Sequence, residues 1–323
     1  MGAARTAEDG QGDVRELTVE STGGARLHTE IHGRVDGPTV LLAHGWTCNT
    51  TFWEPVIRQL AGTHRVVLYD QRGHGRSPAT PGSCDTEALA DDLCAVLEAT
   101  TEPGEKVVAG GHSMGAMTLV AAARRQVFRE RVSAAMLCST GMERLLHEAR
   151  VAPIRSVKLR YRVQKLVFTA ALPLGPVTPL GKRVLAHSTL GAGASAALRT
   201  QVAEMVHACP RKVRAEWAGV LSTLALADRL ADLTVPTAVV HGDADRLTPP
   251  VLAHRMVQGL PALTELHMLP GLGHMTPLED PAVVAQVLRE LGPAGRAAAP
   301  EAAPETDQAP AQGTDPQPAQ ETA

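Results

Sequence analysis

A serine caught between strand formers and helix formers sets the tightest limit on what this chain can fold into. Val107-Val108-Ala109 is short and apolar, and a small-residue helical stretch opens at Met114. The pentapeptide Gly111-His112-Ser113-Met114-Gly115 bridges the two with no residues to spare for a loop. Ser113 is therefore expected on a sharp strand-to-helix turn, which strains the backbone of any residue carrying a Cβ. Glycines two positions either side remove the Cβ atoms that would strike the neighbouring strand and helix.

The rest of the chain supplies the setting for that turn. Residues 16–20 and 26–32 read as an antiparallel pair. Short strand-forming runs follow at 39–43, 66–69, 107–110 and 132–138, separated by helical patterns at 53–60, 86–100 and 114–125. Strands resume at 237–241 and 265–269, before a last helix at 281–291. Such alternation predicts an α/β fold with a mostly parallel central sheet flanked by helices on both faces. Residues 14–140 and 231–291 form its expected core, and 141–230 an inserted helical lid. The ends, 1–13 and the Ala/Pro/Glu-rich 292–323, carry too few large apolar side chains to offset chain entropy and are expected to be disordered.

In open α/β sheets, ligands gather at the carboxyl ends of strands. Each loop expected there carries a reactive type: His44-Gly45-Trp46, the run from Asp70 to Ser77, the Ser113 turn, His241-Gly242-Asp243-Ala244-Asp245, and Gly271-Leu272-Gly273-His274. A serine hydroxyl is a weak nucleophile at neutral pH and needs a base to take its proton. Among thirteen histidines, His274 alone lies in a Gly-flanked loop after the last strand, so it is the candidate base. Asp243 and Asp245 compete to orient its imidazole. The Met114 amide, at the start of its helix, is placed to stabilise developing negative charge.

With this order of loops the chain resembles the α/β-hydrolase fold family over residues 14–291, in its serine-nucleophile, esterase/lipase-like branch. Ser113 then stands at the nucleophile elbow, and the chain order Ser, Asp, His follows that family's triad. The family's His-Gly-x-x-Asp pattern selects Asp245 as the acid, leaving Asp243 to support the turn. Glu143 is the further alternative, because some members place the acid after the preceding strand. The resemblance also implies the Trp46 amide as the second oxyanion donor, and structural roles for Asp70 and Arg72. It implies a carboxylic ester hydrolase working through an acyl-enzyme. Thioesterases, C–C bond hydrolases and cofactor-free haloperoxidase-like perhydrolases share the triad, and a non-catalytic ligand-binding member of the fold is the different-class alternative.

Other classes find no support. Phe, Trp and Tyr make up 2% of the chain, too few for a base-stacking nucleic-acid surface, and a net charge of -3 points to no polyanionic partner. No phosphate-cradling glycine motif and no H-E-x-x-H are found, so neither cofactor nor metal is expected. Five scattered cysteines and no apolar leader in the first twenty residues suggest a cytoplasmic protein. The insertion is basic, with fourteen Lys or Arg against four acids from Arg144 to Arg229. That charge fits a solvated face, a funnel for an anionic substrate, or weak contact with an acidic membrane surface. Its buried side is expected to be aliphatic, from Leu166, Val167, Phe168, Leu172, Leu174, Val184 and Leu185, and to suit an acyl chain or a compact apolar ester.

Overall fold

The computed structural model describes residues 14–80, 82–173 and 175–292. Eight strands form one sheet: β1 (Arg15–Ser21), β2 (Ala25–Gly33), β3 (Thr39–Ala43), β4 (Arg65–Tyr69), β5 (Val107–His112), β6 (Val132–Cys138), β7 (Thr237–Gly242) and β8 (Leu263–Leu269). Their order is β1-β2-β4-β3-β5-β6-β7-β8. β1 and β2 pair antiparallel, as does β2 with β4, while β3 to β8 run parallel. The expected antiparallel start and parallel remainder are both present.

Alternation along the central strands builds two cores. Leu41, Ala43, Val67, Tyr69, Ala109 and Leu137 face one side of the sheet; Val40, Leu42, Val66, Leu68, Val108 and Met136 face the other. Strands buried on both faces read as continuous apolar runs, which is why they are legible without a polar partner face. Helices α1 (Glu54–Leu60), α2 (Thr86–Thr100), α3 (Met114–Ala122) and α4 (Gln126–Arg131) connect the first six strands. The helix expected to run to residue 125 stops at Ala122 and restarts as α4, a six-residue element too short to show periodicity.

Among the described residues, five α-helices lie between β6 and β7: α5 (Leu145–Glu148), α6 (Val157–Thr169), α7 (Pro179–Thr189), α8 (Ala196–Ala208) and α9 (Arg211–Ser222). Three are capped by side chains, Ser156 accepting from the Leu159 amide, Thr178 from Gly181 and Ser195 from Leu198. Such caps contribute about 1 kcal/mol each and explain where these helices start. After β7 come α10 (Pro250–Val257), α11 (Thr276–Glu279) and α12 (Pro281–Glu290). Sequence reading missed α10, because Pro249-Pro250 looks like a loop although proline suits the first helical turn.

The aliphatic side expected of this insertion is largely turned outward. Leu166, Val167, Leu172 and Val184 are 72%, 61%, 64% and 59% exposed, and Leu174 lies outside the described residues. Only Phe168 and Leu185 pack inward, on Trp46 and the second core. Periodicity defines a stripe on a helix but not which stripe the protein covers. The buried contact of α6 is polar instead: Gln164 donates to the Leu146 and Ala149 carbonyls and accepts from the Ala152 amide. The ends expected to be disordered lie outside the described residues, apart from Gly292, which is buried.

One buried ion pair ties the loop after β4 to α2. Arg72 Nε donates to Asp92 at 2.7 Å and its second nitrogen to the other oxygen at 2.5 Å, with both side chains at most 2% exposed. Asp92→Ala would leave the guanidinium buried without its counter-charge, at a cost of about 3–5 kcal/mol. Urea unfolding of the variant checks this; a loss below about 1 kcal/mol would show that the remaining carbonyl contacts suffice.

Candidate active site

Ser113 leaves β5 with φ 52° and ψ −114°, a left-handed conformation unusual for a residue with a side chain. The turn is held from three sides. Its amide donates to the Cys138 carbonyl at 2.8 Å, and its carbonyl accepts from the Ala116 and Met117 amides and from Thr140 Oγ1 at 3.0 Å. A Cβ on Gly115 would overlap the Ala43 carbonyl of β3, and one on Gly111 would come within 2.5 Å of the Gly115 carbonyl. Both expected collisions are therefore present, and they show how tightly α3 seats against β3.

The loop after β3 is pressed onto this turn. A Cβ on Gly45 would lie 2.6 Å from His112 Nδ1 and 3.2 Å from Ser113 Cβ. His44 fixes the loop as a brace: Nδ1 donates to the Gly45 carbonyl at 2.8 Å, and Nε2 accepts from the Gln71 amide at 3.0 Å. Burial lowers its pKa to about 4, so the ring is neutral at neutral pH and suited to holding both bonds. Gln71 also donates to the His44 carbonyl and accepts from Thr118 of α3, joining the loop to the helix that follows Ser113. Among the described residues, the Trp46 and Met114 amides have no hydrogen-bond partner. The Trp46 indole has another task. It donates to the Arg214 carbonyl of α9 at 3.1 Å and meets the Phe168 ring of α6 edge-on at 5.8 Å.

Asp245 and His274 meet in the buried space beyond β7 and β8. His274 Nδ1 donates to Asp245 Oδ2 at 2.8 Å. That carboxylate also accepts from the Leu247 and Thr248 amides and from Thr248 Oγ1 at 2.7 Å. Burial pushes the Asp245 carboxyl upward, but His274, His241 and the Thr248 hydroxyl outweigh it and hold the group below its ordinary value. Asp243 instead accepts from the Gly271 amide at 2.7 Å, supporting the turn, and Glu143 sits in a two-residue bridge with Ala225.

Ser113 Oγ and His274 make no direct hydrogen bond in this structure. Their segments are joined through His112, whose Nε2 donates to the His274 carbonyl at 2.8 Å and whose ring lies 4.9 Å from the His274 ring. Hydrogen bonds of this kind commonly tighten only when substrate is bound. Ser113 keeps 7% of its surface accessible, whereas Asp245 is 3% exposed. The one His/Glu group with metal-ligand spacing among the described residues is Glu16, His28 and Glu30, on β1 and β2, and Arg76 already pairs with both carboxylates.

The mostly parallel eight-stranded sheet agrees with the comparisons. The Alpha/beta hydrolase family model matches residues 40–287. The chain belongs to the α/β-hydrolase family. It is 30% identical over 269 residues to a protein named "Putative carbamate hydrolase RutD" from Variovorax paradoxus, covering 80% of this chain and 92% of that one. An esterase structure from Thermogutta terrifontis aligns with a TM-score of 0.70 at 25% identity, over 85% of this chain and 97% of the other. The enol-lactonase of Burkholderia xenovorans, at 20% identity and a TM-score of 0.68 over 85% and 99%, shares the fold. This chain is a hydrolytic enzyme of that family.

This α/β hydrolase also uses residues that sequence reading passed over. Glu279, on α11, accepts from the Gly273 amide at 3.0 Å and from the Gly191 amide at 2.7 Å. The His274 and Met275 amides donate to the Thr189 carbonyl at the end of α7. The loop carrying His274 is thus fastened to the insertion. A glutamate five residues after a loop histidine is too ordinary a spacing to have signalled this. Thr248 was equally silent, a threonine in a proline-rich stretch.

Buried neutral histidines set the acid limit of this α/β hydrolase. Burial lowers His44 to about 4 and His74 to about 3, and holds His112 and His241 below the ordinary 6.5. Below pH 6.5 the unfolded chain takes up protons that the folded chain refuses, so stability present above that pH is lost as pH falls toward 4. Urea midpoints measured across this interval should fall steadily; a flat profile would contradict the burial of these rings.

Proposed function

We propose that the protein is a serine hydrolase that cleaves carboxylic esters through an acyl-enzyme intermediate. Ser113 Oγ attacks the ester carbonyl while His274 Nε2 takes its proton, and Asp245 holds the imidazole with Nδ1–H turned away from the serine. The Trp46 and Met114 amides receive the negative charge that develops on the carbonyl oxygen. His274 then returns the proton to the leaving alkoxide, and a water attacks the acyl-enzyme by the reverse of the same steps. The observation that carries this reading is the buried 2.8 Å bond from His274 to Asp245, on loops that converge on a strained serine.

Two unpartnered amides beside that serine support the charge-stabilising role. Removing one such donor typically costs about 100- to 1,000-fold in turnover. Helices α5–α9 would form a helical lid, anchored through Trp46 and through the bonds from the 189–191 segment to the His274 loop. The five cysteines, all unpaired, support a reducing, cytoplasmic compartment.

Similarity to the carbamate hydrolase favours a second acyl class, carbamates, through the same residues. A carbamate offers the same carbonyl oxygen to the donors but is less electrophilic, so it demands more of them. Turnover of a p-nitrophenyl ester series against matched N-alkyl carbamates separates the two.

Ser113→Ala should lose turnover by about a million-fold while keeping its fold, and should no longer label with a fluorophosphonate. Hydrolysis at the unmodified rate would refute the assignment. Glu279→Ala, which frees the His274 loop, should lower kcat about 10- to 100-fold with KM little changed. Glu279→Gln, able to accept one of the two bonds, should recover part of that loss.

A further inference from the structure

The exposed apolar side chains of this protein are not scattered. Ten large ones stand out among the described residues, and seven of them belong to α6, α7 and their linker. Leu166 is 72% exposed and Leu180 70%, with Leu172, Val167, Val184, Val157 and Leu159 all above half. A single exposed leucine needs no explanation, but a cluster this dense on one helical pair does.

Charge along this stretch of the chain is of one sign. From residue 149 to residue 203 the sequence has no Asp or Glu, while nine Lys or Arg occur. Arg155, Lys158, Arg162 and Arg183 are exposed and make no ion pair among the described residues. Acids and bases alternate freely elsewhere on the surface, where Arg76, Arg124, Arg125 and Arg255 all have carboxylate partners. An aliphatic face rimmed by unpaired cations is the composition of a helix that lies in a membrane interface.

We propose that α6, α7 and Leu172 between them dock this enzyme peripherally onto an anionic lipid bilayer. The apolar side chains enter the headgroup boundary, and Arg155, Lys158, Arg162 and Arg183 meet the lipid phosphates. A second copy of the chain fits the face less well, because a symmetric contact would bring these like charges together without a counter-charge. No helix of the described residues is long and apolar enough to cross a membrane, so docking rather than spanning is the fitting geometry. On the reading of the site given above, Phe168 of α6 against Trp46 would put bilayer-dissolved esters within reach of Ser113. The docking itself stands independently of that reading.

Sedimentation of the full-length protein with vesicles tests the proposal. Binding is expected with phosphatidylglycerol mixed into phosphatidylcholine and not with phosphatidylcholine alone. It should weaken at least about tenfold in about 1 M salt, where the screening length falls to about 3 Å. Leu166→Glu with Leu180→Glu, and separately Lys158→Glu with Arg162→Glu, should each weaken it by about tenfold or more, with circular dichroism unchanged. Ser113→Ala should bind as tightly as the unmodified protein, which separates docking from catalysis. No binding to anionic vesicles, binding by either double variant as tight as that of the unmodified protein, or a dimer in solution that the leucine variant dissolves would each overturn it.

Discussion

Everything near the candidate site depends on a backbone turn that leaves no space for side chains. Ser113 holds a left-handed conformation because β3 and α3 close around it, near enough that a Cβ on Gly115 would overlap the Ala43 carbonyl. The same closeness presses Gly45, next to Trp46 in the loop after β3, onto His112 and Ser113. Strain in one residue and contact between three elements are thus a single feature. The surrounding hydrogen bonds over-determine it, as a strained residue requires.

From that turn outward, the loops are joined by polar groups as well as by apolar packing. Gln71 links the His44 loop to α3, His112 links the elbow to the His274 backbone, and Glu279 links the His274 loop to the insertion. Burial keeps the bracing histidines neutral, so they serve as fixed donors and acceptors. A loop held by such bonds is placed more closely than one held by apolar contacts, because each bond restricts angle as well as distance. The insertion takes part in this network through Thr189 and Gly191, while its α6–α7 face stays outside it.

Much of the fold was legible from local pattern. Strands buried on both faces appear as continuous apolar runs, and Ser113, Asp245 and His274 stand in loops whose glycines and order mark them. Asp243 was correctly read as a turn residue, since its carboxylate caps the Gly271 amide. Gln71, Thr248 and Glu279 were not legible: Gln71 and Glu279 act on the backbone at His44 and Gly191, far away in the chain, and the bond from Thr248 to Asp245 leaves no mark in its proline-rich neighbours. The apolar stripe of α6 was visible but its orientation was not, and the inward assignment of Leu166 and Val167 failed for that reason.

By itself, then, the sequence determined the alternating α/β architecture, the serine at a strand-to-helix turn, and which loops beyond it carry aspartates and a histidine. These are properties of short segments, set by side-chain period, by glycine spacing and by chain order. Only the tertiary structure decided which amides are left without partners, which buried groups fasten the His274 loop, and which face of the insertion meets solvent. Those depend on contacts between residues far apart in the chain, 162 positions for His112 and His274 and 168 for Trp46 and Arg214. No local preference records such a contact until the chain has closed around it.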